Sequence, residues 1–258
     1  MKKFLALLLS CLLLHSLVAC AATEEESNDN NNGVEDPVDD EMTYGNLKYA
    51  VNEDGYYSIT GYIPNGVEPV KIKIPATIEG REVKGIADGA FLGSTYISSV
   101  EFEADAKNGQ IYVNTIGSAA FWGCTSLTAI TIPASVTTIK DMAFQNCTAL
   151  TTVTFANGSA IKAIEPHTFA GCSALTSVAL PATVTTIGTG AFMGCAALTT
   201  FSIPDAVTSI GDVAFSNCES LVELSVPATY ESITKGQEVY MNCDQNLQFV
   251  TRTPATEG

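Results

Sequence analysis

Basic residues are scarce in this chain. Only 12 Lys and Arg stand against 28 Asp and Glu, a formal charge of −16 over 258 residues. A nucleic-acid surface needs clustered Lys and Arg to neutralise phosphates, and no cluster occurs, so nucleic-acid binding is excluded. Histidine is nearly missing: after residue 20 only His167 remains, and no Ser, Cys or Asp recurs beside it as a set. That leaves no nucleophile and base to pair, so no catalytic residue and no enzyme activity is expected. No His or second Cys lies at ligand spacing from any cysteine, so neither a metal site nor a cofactor is expected. Long apolar runs are also absent. The longest, Phe4 to Val18, has fifteen residues, short of the roughly 20 that span a bilayer.

That run follows Lys2 and Lys3 and ends in Leu17-Val18-Ala19-Cys20, so it reads as the core of a secretory signal. Leu at −3, a small residue at −1 and Cys at +1 resemble the bacterial lipobox. The expectation is that residues 1–19 are a lipoprotein signal peptide, with Cys20 acylated as the mature N-terminus and holding the protein to a membrane. Residues 21–41 carry nine acidic side chains and no basic one. They cannot bury enough surface to offset their ordering entropy, so residues 20–42 are expected to form the acylated Cys and a disordered tether. Asn28-x-Asn30-x-Asn32-Gly33 faintly echoes an EF-hand loop but lacks its first Asp and last Glu. Glu24-Glu25-Glu26 resembles an acidic signal for export to the outer face of the outer membrane, which implies a secreted protein anchored at a bacterial cell surface.

What is abundant is repetition. Phe121, Phe144, Phe169, Phe192 and Phe215 recur at spacings of 23, 25, 23 and 23; a Cys follows each by three and a Leu follows each Cys by three. The unit is I-x-x-x-A-F-x-[GN]-C-x-x-L-x-x-V-x-I-P-x-x-V-T-x-I. Gly or Asn before the Cys marks a left-handed residue that closes a short helical turn. L-x-x-V-x-I alternates as a strand, Pro ends it, and V-T-x-I is a second short strand. Ile86 to Ser94 is a first copy with Ser in place of Cys, and Tyr240 to Cys243 is a degraded last copy. Two departures break the pattern: an inserted loop at 104–114, and Asn157-Gly158 replacing the I-P step. At the N-terminal side, Leu47 to Val51 and Tyr56 to Gly61 flank Asp54-Gly55, a type I′ hairpin signal.

These motifs resemble the BspA-like (bacterial surface protein A type) leucine-rich repeat, over Tyr44 to about Val250. The resemblance implies a right-handed repeat solenoid of mostly short β-strands, with one short helical turn per coil of about 23 residues. The expected domains are an N-terminal β-hairpin cap at 43–85, about seven coils at 86–250 and a tail at 251–258. Association of that family with adhesion implies a host extracellular protein, a glycan or another surface protein as partner.

Six cysteines in a secreted chain suggest disulfides, and one strand spacing between coils is within bonding distance. Yet they occupy one core position and point the same way, and Ser94 replaces one without stranding a partner. Buried, unpaired thiols are therefore expected at Cys124, Cys147, Cys172, Cys195, Cys218 and Cys243. The outward strand positions include Ala129, Thr131, Thr152, Thr154, Ser177, Ala179, Thr200, Ser202 and Ser225: small, neutral and mostly hydroxylic. From Ile116 to Ile233 only Lys140 and Lys162 oppose seven acidic residues. Ala129, Thr131, Thr152, Thr154, Ser177, Thr200 and Ser202, with the lone Trp122, form the candidate binding face of a monomeric surface module. The alternative is a structural or accessory lipoprotein of an outer-membrane uptake or surface complex. Threonines such as Thr137, Thr185 and Thr208 also stack, but Lys162-Ala163 interrupts them as a regular array.

Overall fold

A computed structural model of the protein describes residues 42–66 and 69–252. The signal segment 1–19, Cys20 and the tether as far as Glu41 lie outside the described residues, as do 253–258.

Each repeat folds into one coil of a β-solenoid of about eight turns, almost without helix. A coil has a turn stretch, a long-strand stretch and a short-strand stretch, and each stacks in register on its neighbour. The long strands are Val70–Ile74, Ile97–Phe102, Ala129–Ile132, Thr152–Phe155 and Ser177–Val178 in one sheet, then Thr200–Ser202, Glu223–Val226 and Gln248–Thr251 in another. All pair in parallel. The short strands run from Arg81–Ile86 through Thr115–Ile116 and Thr138–Ile139, then from Ala163–Ile164 to Thr234–Lys235. The hairpin Leu47–Val51 and Tyr57–Tyr62 closes the first end, with Met42–Tyr44 outside it and Tyr57–Tyr62 pairing in parallel to Arg81–Ile86.

The hairpin turn is not type I′. Type I′ needs positive φ at both central residues, and between Asn52 and Tyr56 only Gly55 has it, at 79°. The Gly55 amide donates to the Asn52 carbonyl at 2.9 Å, and the Tyr56 amide donates to Asn52 Oδ1 at 2.9 Å. The loop is thus three residues long, a type I turn followed by a left-handed glycine. The Asn52 side chain competes for an amide that a two-residue loop would pair across the strands.

Fixed apolar positions become columns through the interior. Phe91, Phe121, Phe144, Phe169, Phe192, Phe215 and Tyr240 stack with ring centroids 5.0 to 5.7 Å apart. All six Phe rings are buried. Beside them runs the cysteine column. Each thiol donates to the Phe carbonyl of the preceding coil, from Cys124 Sγ to Phe91 O at 3.2 Å through Cys243 Sγ to Phe215 O at 3.2 Å. A small apolar residue would fill the space, but only Cys also makes that bond. All six thiols are free. Cys243 departs from expectation: it is only half-buried, and among the described residues no further coil covers its own.

The expected left-handed position holds in every coil, with φ between 58° and 75° at Gly93, Gly123, Asn146, Gly171, Gly194, Asn217 and Asn242. The turn it closes is a string of single turns instead of a helix. The amides of Ala120, Trp122 and Cys124 donate three residues back, while those of Ala119, Phe121 and Gly123 donate to Asp141, Ala143 and Gln145 of the next coil. A helix would use every amide within itself; this alternation leaves half of them for stacking. It requires a second left-handed residue four positions earlier. There φ is positive at Gly89, Ala119, Met142, His167, Gly190, Val213 and Glu238. Only the two glycines signal this in the sequence. The remaining five side chains carry the left-handed strain.

Candidate binding face and its notch

Alternation along each long strand sends one set of side chains into the columns and the other to solvent. Ala129, Thr131, Thr152, Thr154, Ser177, Thr200 and Ser202 are all exposed. The register places Lys71, Ser99, Ala129, Thr152 and Ser177 in one row and Thr131 beside Thr154 in a second. In the second sheet, Thr200 aligns with Glu223 and Gln248, and Ser202 with Ser225 and Val250. Ser225 is partly covered. Trp122 is not part of this face. It stands on the turn side, in the column that its carbonyl joins to Gly93, and it is partly buried.

Charge is confined to the ends of the face. At the first end Lys71 Nζ meets Glu101 Oε2 at 2.6 Å and Lys73 Nζ meets Glu103 Oε1 at 3.1 Å. The Lys71 bond holds the Glu101 carboxyl below its ordinary pKa, and the Glu103 bond raises that of Lys73. At the other end the Arg252 guanidinium bonds Ser202 Oγ, Ser225 O, Ile203 O and the Asp205 carboxylate, tying the last long strand across the preceding coils. The middle carries hydroxyls and methyls only. Such a surface presents hydroxyl donors and acceptors and, at these outward strand positions, no carboxylate, ammonium or imidazole.

A cleft of about 500 Å3 interrupts the face on its loop side. Phe102, Ile111, Pro133, Ala134 and Ala156 line it together with Ala129 and Thr131 of the face, and the Lys71–Glu101 pair borders it. The cause is loop length. The coil through Pro133 turns tightly, while its neighbours carry the insertion at 104–114 and the Asn157-Gly158 turn. The insertion is rigidly built: Asp105 Oδ1 accepts from the Lys107 amide at 2.7 Å, and Asn108 Nδ2 donates to the Tyr112 hydroxyl at 2.7 Å. In the sequence these two departures read as neutral to the fold, and so they are. Their proximity was not readable, although they are the places where the repeat is broken.

The stacked threonines on the short-strand side are not an open hydroxyl array. Thr137, Thr185 and Thr208 each donate Oγ1 to a carbonyl of the preceding coil.

A family model described as BspA type leucine rich repeat region matches the chain in six copies, over residues 65–158 and 114–248. Among solved structures, a leucine-rich-repeat protein of T. pallidum is 29% identical with a TM-score of 0.68, over 81% of this chain and 91% of that one. The pneumococcal vaccine antigen PcpA is 22% identical with a TM-score of 0.55, over 83% of this chain; the match spans 50% of PcpA and bears on fold alone. No curated protein matches the chain.

Proposed function

This chain belongs to the BspA-type leucine-rich-repeat family, and from that premise we propose that it is a non-enzymatic surface module binding an extended protein or glycan through its long-strand face. A fold does not imply a function, so the reading rests on one observation: two rows of neutral hydroxyls, free of charge between Ala129 and Ser202 and opening onto a notch at Pro133. Stacked coils suit long partners because each adds the same increment of surface. Acylation at Cys20, outside the described residues, would hold the module to a bacterial surface. Among the described residues no helix is long and apolar enough to cross a membrane.

The test is capture from host extracellular matrix and on glycan arrays by the full chain and by a Thr131→Lys/Thr154→Lys variant. Both positions are exposed, so the variant should melt like the parent yet lose its captured partner; undiminished capture would remove the face from the function. Cys20→Ala should move the protein from the detergent phase to the soluble fraction.

A further inference from the structure

A second cleft lies on the opposite, short-strand side, where the hairpin turn overhangs the first coils; its volume is about 460 Å3. Gly85 and Gly117 line it. A Cβ on Gly85 would meet Ser58 Oγ at 2.8 Å, and one on Gly117 would sit 2.5 Å from the backbone of Ala87 and Asp88. Elsewhere the Gly85 position holds Thr115, Thr138 or Thr186, in register along the sheet. The cleft is therefore a dip in that column, floored by backbone.

Its two ammonium groups are already paired. Lys84 Nζ lies 3.1 Å from Glu82 Oε2 and 3.3 Å from the centroid of the Tyr56 ring. Lys140 Nζ bonds Asp88 Oδ1 at 3.0 Å, and that oxygen also accepts the Ser118 amide at 2.8 Å. Each ammonium already faces a carboxylate, which weakens its pull on a phosphate or carboxylate ligand. What remains is hydrogen-bonding capacity: the Asp54 carboxylate, which makes no bond to the described residues, and the Asn114 amide, whose Oδ1 accepts from Thr115 while its Nδ2 stays free. A carboxylate that accepts, an amide that donates and flanking hydroxyls suit a ligand rich in hydroxyls and without charge.

We propose that this cleft binds a neutral saccharide, with Asp54 accepting from sugar hydroxyls and Asn114 Nδ2 donating to one. The site is independent of the long-strand face. Anionic sugars are disfavoured by the unpaired Asp54 and by the overall negative charge.

The test uses the full chain on an array of neutral, sialylated and sulfated glycans, followed by titration calorimetry with the neutral glycans that bind. Asp54→Ala and Asn114→Ala should each weaken binding about three- to tenfold, the scale of one lost hydrogen bond from an exposed group, with melting temperature unchanged. Thr131→Lys/Thr154→Lys should bind the same sugars normally, which separates this site from the long-strand face. Raising the salt concentration should leave the affinity unchanged. Absence of neutral-glycan binding, binding indifferent to both cleft variants, or salt-sensitive binding of anionic glycans alone would each overturn the proposal.

Discussion

The coils before residue 160 and those after it follow the same unit but differ in what surrounds it. From Ile161 to Val226 the repeat runs unbroken; the coils touch backbone to backbone at Gly188 and Gly211, where a Cβ would lie 2.7 Å from Pro166 N and 2.4 Å from Thr189 N, as they also do at Gly117 in the earlier coils. Before residue 160 lie the hairpin, the 104–114 insertion and the Asn157-Gly158 turn, and with them both clefts. These two clefts form where neighbouring loops are unequal; a further one of about 450 Å3, beside Glu219 and Asn242, lies in the last coils. The regular coils supply stability, and the two proposed binding sites lie where regularity fails.

The largest expected effect concerns the thiol column, which both regions share. Burial pushes the Cys124 and Cys218 thiols up from 9.0 to about 12, and raises Cys147, Cys172 and Cys195 further. A folded-state pKa above the unfolded one contributes stability that is complete below pH 9.0 and lost as pH rises towards 12. The melting temperature should therefore hold steady to about pH 9 and then fall steeply, in a window that lysine and tyrosine titration shares. A Cys147→Ala/Cys172→Ala double variant should melt lower at neutral pH but lose less on going alkaline. If its alkaline limb parallels the parent's, the thiol column does not govern this loss.

Next in size is core truncation. Phe169→Ala, in the unbroken run, removes a ring stacked 5.5 Å from both neighbours and should cost about 3–5 kcal/mol. Ile111→Ala, on the half-covered wall of the notch, should cost about 1 kcal/mol or less, because little area is lost. Denaturant titrations measure both. Equal costs would mean that the insertion is as integral to the core as the columns.

The smallest effect concerns backbone strain. Gly194 has φ 75°, so Gly194→Val should cost about 1–2 kcal/mol or more, while Gly194→Asn should be tolerated, as at Asn146 and Asn217. Val213, β-branched at φ 49°, should respond in reverse: Val213→Gly relieves left-handed strain of about 1–2 kcal/mol, offset in part by lost packing of a half-exposed side chain. Thermal melts showing no difference between Gly194→Val and Gly194→Asn would contradict the left-handed assignment.

Much of this was readable from the chain. The 23-residue period names the columns, because a residue type that recurs once per coil must stack on itself. The Gly-or-Asn position carries its own signal, since few other residues enter the left-handed region cheaply. Outward positions of the long strands follow from alternation alone. Trp122, by contrast, could not be placed relative to that face from its position in the repeat.

Three features needed the fold. The second left-handed position is occupied by Ala119, Met142, His167, Val213 and Glu238, which are not left-handed formers; inter-coil amide bonds impose that conformation, and such bonds are invisible to local propensity. The role of cysteine as a donor to the preceding Phe carbonyl depends on a neighbour 26 to 33 residues away. The clefts depend on differences between neighbouring coils. A repeat pattern reports what coils share, and a concavity arises from what they do not.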